Sequence, residues 1–141
     1  MNPGESYKIR LDLWQALMSH DNIEKFDYTY SERINFANQL DNVIETLKED
    51  EHSRQGMIMI FQPQDTQKTG GNTRIPCSIS YQFLIRNNQL FVIYYIRSND
   101  YFKHFVIDVY LTNSIQQYIV EQLKSTYPKL KCGPLNYFAG S

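Results

Sequence analysis

Residues 75–97 read IPCSISYQFLIRNNQLFVIYYIR, and this stretch decides the fold. Its two runs rich in Ile, Tyr, Phe and Val, 78–86 and 89–97, are typical of β-strands. Asn87 and Asn88 lie between the runs, and asparagine tolerates the positive φ that a two-residue hairpin turn needs. The stretch therefore predicts an antiparallel β-hairpin.

Helical periodicity flanks this hairpin on both sides. A helix is predicted from Ser31, its predicted N-cap, because apolar residues then recur on one face: Ile34, Ala37, Leu40, Ile44 and Leu47. A last helix is predicted over about 108–124, before Pro128, with one face made by Leu111, Ile115, Tyr118, Ile119 and Leu123.

The segments between these helices and the hairpin complete the predicted class. The apolar run 57–61 predicts a short buried strand. The polar stretch 62–74, which contains Gly70 and Gly71, is predicted to be flexible. These elements give an α+β class with an antiparallel or mixed sheet packed by helices. In that sheet the core or a dimer interface is predicted to hold Tyr81, Tyr94 and Tyr95.

The composition limits the function classes. The 141 residues suit one domain, and a net charge of -1 provides no broad basic field for nucleic acid. No apolar run reaches the roughly 18 residues of a membrane span, and the N-terminus has no signal-peptide pattern. Two cysteines, Cys77 and Cys132, predict free thiols in a cytoplasmic protein. The histidines are few and far apart, so no metal site is expected.

Four short motifs occur in order along the chain: Gln39-Leu40-Asp41 with Ser53-Arg54, Pro76-Cys77 with Gln82-Phe83, Arg97-Ser98-Asn99-Asp100, and Gly140-Ser141. In order and spacing they resemble the thymidylate synthase and pyrimidine hydroxymethylase family, and the combination is far more specific than any single motif. The resemblance implies a thymidylate synthase-like fold that is incomplete relative to the family. It would comprise a divergent N-terminal segment, 1–30, and a nucleotide-binding core, 31–141.

The resemblance makes Cys77 the nucleophile. Its thiolate would add to C6 of a pyrimidine and turn C5 into a carbon nucleophile. Arg97 would be the nearby cation that favours the thiolate. The alternative is that Cys77 is a small buried apolar residue, which is the commoner fate of a free cysteine.

The resemblance also implies a phosphate site. Arg97 and Ser98 would bind the 5′-phosphate, together with Arg54 donated by the second subunit of a dimer. The family has two adjacent arginines at this last position, and this chain has Gln55 as the second, which should weaken phosphate binding. The alternatives are a solvated turn residue for Arg54 and a surface arginine at a strand end for Arg97.

Asp108 indicates which base is bound. It lies eleven residues after Arg97, where family members acting on uracil carry asparagine and cytosine hydroxymethylases carry aspartate. A carboxyl can accept from the cytosine amino group and, when protonated, donate to N3. Asp108 thus favours a cytosine nucleotide, and a modified cytosine would fit a bacteriophage. The alternative is that Asp108 only caps the last helix. Asp100 resembles the family's folate-contacting aspartate, which implies 5,10-methylenetetrahydrofolate as the cofactor.

Other parts of the family's site have no match in this chain: an upstream glutamate for proton transfer, a His-x-Tyr motif for the sugar, and a tail that covers the folate. We expect a transferase that adds a hydroxymethyl or methyl unit to C5 of a pyrimidine nucleoside 5′-monophosphate, with reduced turnover by this chain alone. It would act as a homodimer or with a partner chain that completes the site. The chain would then be a fragment, one piece of a split enzyme or a divergent short relative. The alternative is a degenerate, non-catalytic nucleotide-binding or assembly homologue.

Overall fold

The computed structural model describes residues 30–68, 75–99 and 105–141. These residues include one sheet with the strand order β1-β2-β3-β4, made of Met57–Met59, Ser78–Arg86, Gln89–Ile96 and Lys131–Ala139. They also include the α-helices α1, α2 and α3, which are Tyr30–Asn35, Gln39–Glu49 and Phe105–Leu123. The predicted α+β class is confirmed. The division between a segment 1–30 and a core 31–141 stays a prediction, because residues 1–29 lie outside the described part.

The predicted hairpin is present as β2 and β3. The two strands pair antiparallel, with Arg86 opposite Gln89 at the turn. Asn87 and Asn88 have φ values of 52° and 58°. Two successive residues of positive φ form the turn whose twist matches that of the flanking strands.

The strand β4 is not predicted from the sequence. It pairs in parallel with β3, and α3 provides the crossover that a parallel pair requires. Gly133 and Pro134 interrupt the strand pattern, and β4 has no fully buried residue that would give an apolar signal. Proline is tolerated because β4 pairs on one side only. The sheet is therefore mixed rather than wholly antiparallel.

The first predicted helix is in fact two helices. Ala37 and Asn38 have φ values of 54° and 56°, so the chain turns between α1 and α2, and Ala37 is exposed. Gln39 stabilises the break. Its side-chain nitrogen donates to the Arg33 carbonyl at 2.9 Å, and its side-chain oxygen accepts from the Met59 amide at 2.7 Å.

Two helix starts also differ from the prediction. α1 begins at Tyr30, so Ser31 lies inside the helix and the N-cap prediction is wrong. α3 begins at Phe105, which places Asp108 within the first turn. Asp108 therefore does not cap this helix. Instead its backbone carbonyl accepts a hydrogen bond from Thr112 Oγ1 at 2.7 Å.

The stretch predicted to be flexible is partly ordered. Pro63–Lys68 forms a 3₁₀ helix in which Asp65 is fully buried. Two nitrogens of Arg33 donate to the Asp65 carboxylate at 2.7 and 2.9 Å, and Arg33 also donates to the Ile60 carbonyl at 3.1 Å. This bidentate pair fixes the polar segment against α1. The prediction of flexibility is wrong here, and residues 69–74 lie outside the described part.

The two faces of the sheet differ. The inner face packs against α2 and α3, and its buried side chains on β2 and β3 include Tyr81, Phe83, Ile85, Leu90, Val92 and Tyr94. On the opposite face the strand register aligns one row across all four strands: Met59, Ser80, Tyr95 and Phe138. This opposite side is here called the outer sheet face. Its exposed apolar residues are Met57, Met59, Tyr95 and Phe138.

Candidate active site

The Pro-Cys and Arg-Ser motifs lie side by side at one end of the hairpin. Cys77 directly precedes β2 and Arg97 directly follows β3, so the antiparallel register brings the two residues together. The Arg97 amide donates to the Cys77 carbonyl at 2.9 Å. Strand pairing alone thus explains why two residues that are 20 positions apart are in contact.

The Arg97 guanidinium lies across the Pro-Cys segment. Nε donates to the Pro76 carbonyl at 2.9 Å, and Nη2 donates to the Ile75 carbonyl at 3.3 Å. Nη2 also lies 3.9 Å from Cys77 Sγ. A guanidinium has five N–H groups, more than these contacts use. Cys77 is a free, half-buried thiol next to a positive charge, which differs from the surroundings of a purely apolar core cysteine.

The last motif of the chain lies against the Arg-Ser motif. The Asn99 amide donates to the Ser141 carbonyl at 3.0 Å. A Cβ on Gly140 would lie only 2.7 Å from the Arg97 carbonyl oxygen, so the backbone approach requires glycine. Ser98, half-buried, follows Arg97 in this junction. Two motifs that are far apart in sequence therefore adjoin in the fold.

Asp108 is a buried acid, with only 6% of its surface exposed. Burial raises the pKa of its carboxyl from 3.8 to about 7. The position of Asp108 in the first turn of a helix acts in the opposite direction, because a helix N-terminus favours an anion. Burial therefore has the larger effect on the pKa of Asp108. A large share of molecules therefore carries a neutral carboxyl near neutral pH, which can donate one hydrogen bond and accept another.

Four tyrosines lie near this acid. Burial is the main cause of the raised pKa of Tyr30, Tyr81, Tyr94 and Tyr137, and the charge of Asp108 raises each further. The pKa of Tyr30 and that of Tyr137 are each raised to about 12, and the charge of Cys77 contributes to both. Cys77 and Asp108 therefore share two neighbours and face a common region of the molecule.

Two polar members of this region, Ser78 and Tyr30, are not predicted from the sequence. Ser78 Oγ donates to the Tyr30 hydroxyl at 3.5 Å and is also hydrogen-bonded to the Tyr94 hydroxyl. The place of Ser78 directly after Cys77 is a signal that could have identified it. No comparable signal exists for Tyr30, because its contact with Ser78 joins residues 48 positions apart.

Arg54 does not reach this region within one chain. It is exposed in the turn after α2 and borders a separate cavity of about 740 Å³, whose other lining residues are Thr46, Glu49, Asp50, His52, Ser53 and Gln55. The Arg54 carbonyl accepts from Gln82 Nε2 at 3.0 Å. Gln82 is the register partner of Met57, so Arg54 lies beside the outer sheet face. Asp100, the predicted folate contact, lies outside the described residues.

Two further findings concern the described part of the chain. None of its helices is long and apolar enough to span a bilayer. It contains no group of three or more His, Cys, Asp or Glu side chains that could hold a metal ion.

Comparison with solved structures defines the fold. The thermostable thymidylate synthase A from Bacillus subtilis matches with a TM-score of 0.63 and 20% sequence identity. The match covers 94% of this chain and 54% of that chain. The fold is thus thymidylate synthase-like, with a mixed four-stranded sheet packed by helices.

Comparison of sequences defines the family. The family model described as thymidylate synthase matches residues 4–131. A protein of Methanosarcina mazei, described as "Putative thymidylate synthase", is 30% identical over 113 residues, which are 77% of this chain and 51% of that protein. A protein of the same description from Methanocaldococcus jannaschii is 31% identical over 104 residues, 72% of this chain and 46% of that protein. The chain belongs to the thymidylate synthase family, and it spans about half the length of the curated relatives that it matches.

Proposed function

We propose that this chain forms the nucleotide-binding core of a transferase that adds a one-carbon unit to C5 of a cytosine nucleoside 5′-monophosphate. Membership of the thymidylate synthase family supports a pyrimidine as the acceptor. The observation that carries the proposal is the contact of the Arg97 guanidinium with Cys77 Sγ in the region that also contains the buried acid Asp108.

The chemistry begins at the sulfur of Cys77. The thiolate adds to C6, and the electron pair of the C5–C6 double bond moves to C5. C5 then bonds to the one-carbon unit, and its hydrogen leaves as a proton to water. The bond from that unit to its donor would break with the electron pair going to the donor nitrogen, and water would supply the hydroxyl of the hydroxymethyl group as re-formation of the C5–C6 double bond expels the thiolate. The Arg97 guanidinium would lie beside the sulfur both before addition and after release.

The choice of base follows from the protonation state of Asp108. A neutral carboxyl donates to the bare N3 of cytosine while its other oxygen accepts from the amino group. Uracil presents the opposite pattern, an N3–H donor and an O4 acceptor, so it pairs better with an amide. Because burial raises the pKa of Asp108 to about 7, the neutral form is available near neutral pH. A cytosine acceptor is therefore the proposed specificity. Hydroxymethylation is proposed with it by resemblance to the family's cytosine hydroxymethylases.

The phosphate site is proposed to need two copies of the chain. Arg97 and Ser98 of one copy would bind the phosphate together with Arg54 of the other. The position of Arg54 beside the outer sheet face supports this, because a second copy packed on that face would meet it. An exposed apolar surface of this kind marks a site of association, and a symmetric pair would use the same surface on both copies.

The one-carbon donor is proposed to be 5,10-methylenetetrahydrofolate, which when bound supplies an electrophilic one-carbon unit. Asp100 would hold it by resemblance, together with Asn99, whose side-chain nitrogen and oxygen are both buried without a hydrogen-bond partner among the described residues. Such an amide suits the edge of a pterin ring, which presents donors and acceptors together. The free thiols Cys77 and Cys132 support a reducing, cytoplasmic compartment.

A second candidate function is a non-catalytic assembly or nucleotide-binding role. The outer sheet face favours it, because an apolar association surface needs no catalytic residue. The two candidates differ in one measurable respect: only the enzyme labilises the hydrogen at C5.

The proposed enzyme is tested by release of tritium from C5-tritiated dCMP in the presence of methylenetetrahydrofolate. We expect Cys77→Ser to abolish release and to retain nucleotide binding, while the matched control Cys132→Ser behaves as the wild type. Equal release by Cys77→Ser and wild type would refute the thiolate mechanism. Binding of dCMP without release by the wild type would favour the non-catalytic candidate.

A further inference from the structure

The side chain of Tyr137 in β4 ends in a buried hydroxyl. The residue as a whole is half-buried, but its hydroxyl oxygen is enclosed and has no hydrogen-bond partner among the described residues. A buried hydroxyl is normally paired, because leaving it unpaired loses its hydrogen bonds to water without replacement. A hydroxyl that is paired only when a ligand binds is one explanation for such a group.

The Tyr137 ring contacts two parts of the candidate active site. It meets the Tyr94 ring edge-on with centroids 5.4 Å apart, and the Tyr94 hydroxyl is hydrogen-bonded to Ser78 at the start of β2. It also meets the Phe105 ring edge-on at 5.2 Å. Phe105 lies three positions before Asp108 in α3, and residues at this spacing are neighbours on one helix face. The ring is therefore placed by the end of the hairpin and by the first turn of α3.

The electrostatic surroundings of Tyr137 agree with this position. Burial is the main cause of its raised pKa, which is about 12, and the charges of Asp108 and Cys77 raise it further. The phenol therefore keeps its proton near neutral pH and can donate a hydrogen bond. Cys77 and Tyr137 each retain some exposed surface, so a ligand can approach the region beside them.

The hydrogen-bonding atoms of cytosine identify the partner of this hydroxyl. In the proposed complex Asp108 pairs with N3 and the amino group, and Cys77 adds to C6, across the ring from N3. N1 carries the sugar, so the carbonyl oxygen O2 is the one hydrogen-bonding atom of the base that these contacts leave unpaired. O2 is an acceptor and a protonated phenol is a donor, so the two groups are complementary.

We infer that Tyr137 is a substrate-binding residue, whose hydroxyl donates a hydrogen bond to O2 of the bound pyrimidine. The inference deepens the proposed function and rests on it, because the base is placed between Cys77 and Asp108. Binding of the nucleotide pairs the buried hydroxyl and O2 with each other. Cytosine and uracil both carry O2, so this contact adds affinity for either base, and the choice between them stays with Asp108.

The first test measures thermal unfolding of the protein without nucleotide. Tyr137→Phe removes only the hydroxyl, so we expect Tm to stay the same or to rise by about 2 °C, because an unpaired buried polar group is lost. Tyr127→Phe is the matched control. It removes a hydroxyl that donates to the Leu47 carbonyl at 2.6 Å, so it should lower Tm by about 5 °C. An equal loss in Tyr137→Phe would show that its hydroxyl is paired within the protein and would overturn the inference.

The second test is calorimetric titration of the wild type and Tyr137→Phe with dCMP, dUMP and 2-thio-dCMP. We expect Tyr137→Phe to raise the Kd for dCMP and the Kd for dUMP by the same factor, about tenfold for one lost hydrogen bond. In 2-thio-dCMP a sulfur, which is a weak acceptor, replaces O2. The wild type should bind it about tenfold more weakly than dCMP, whereas Tyr137→Phe should bind both with similar Kd.

The outcomes separate this contact from the proposed function. If the wild type binds dCMP and Tyr137→Phe has the same Kd, or if sulfur weakens binding equally in both proteins, the contact with O2 is overturned and the proposed function stands. A loss confined to dCMP would place the hydroxyl at the amino edge beside Asp108 and would also overturn the contact. Failure of the wild type to bind any of the three nucleotides would overturn the proposed function and this inference with it.

Discussion

Replacing Asp108 by asparagine should stabilise the protein at alkaline pH. The carboxyl has only 6% of its surface exposed, and burial raises its pKa from 3.8 to about 7. The folded state therefore prefers the neutral carboxyl, so stability falls as the pH rises from about 4 to about 7 and stays low above that range. An amide of nearly the same shape never acquires the charge.

The magnitude follows from the size of this pKa change. At about 1.4 kcal/mol per pKa unit, the rise corresponds to about 4 kcal/mol of preference for the neutral form. Local relaxation of the folded protein reduces this value, so we expect Asp108→Asn to exceed the wild type by about 2 to 4 kcal/mol at pH 8. At pH 4, where the carboxyl is largely neutral, the two proteins should differ by less than about 1 kcal/mol.

The assay is urea unfolding of both proteins at pH 4, 6 and 8. The difference in the free energy of unfolding between the two proteins isolates residue 108, because every other titratable group is present in both. Asp41→Asn, a change at an exposed aspartate of α2, is the matched control and should show no such trend. A stability difference between Asp108→Asn and wild type that is the same at pH 4 and pH 8 would refute the reasoning.

Three other substitutions test separate parts of the structure. Arg33→Met removes the guanidinium from the buried Asp65 carboxylate and should lower the free energy of unfolding by about 3 to 5 kcal/mol; a loss below about 1 kcal/mol in urea unfolding would contradict the buried ion pair. Gly140→Ala places a Cβ 2.7 Å from the Arg97 carbonyl, so it should cost about 1 to 3 kcal/mol of stability and weaken dCMP binding, as measured by thermal unfolding and calorimetry; wild-type behaviour would contradict the close approach. Tyr95→Glu puts a charge into the outer sheet face and should convert a dimer to a monomer, as measured by sedimentation velocity. Val106→Glu is the control, at an apolar residue of α3 that is 73% exposed, and it should leave the dimer intact. A dimer that survives Tyr95→Glu would contradict this interface.

The hairpin was predictable because its signals are local. Alternating β-formers and the Asn87-Asn88 pair determine both strands and their turn without help from the rest of the chain. The contact between Cys77 and Arg97 then follows from the register of those strands. By contrast, apolar periodicity does not predict the positive φ of Ala37, which divides the first predicted helix into two.

The missed features depend on contacts between distant residues. The edge strand β4 exists because α3 returns the chain to β3, and its own residues carry little apolar signal. The order of the segment around Asp65 depends on Arg33, which lies 32 positions earlier. The hydrogen bonds that Ser78 makes with Tyr30 and Tyr94 likewise join residues of three different elements, so no single stretch of sequence indicates them.

The measurement that tests the central claim most directly is calorimetric titration of the wild type with dCMP, CMP and dUMP at pH 6.5 and pH 8.5. We expect a cytosine nucleotide to bind at least about tenfold more tightly than dUMP at pH 6.5, because the neutral Asp108 carboxyl matches cytosine. Its affinity should fall at pH 8.5, where the carboxyl ionises. Equal or tighter binding of dUMP at pH 6.5, or no binding of any of the three nucleotides, would contradict a cytosine-nucleotide site in this chain.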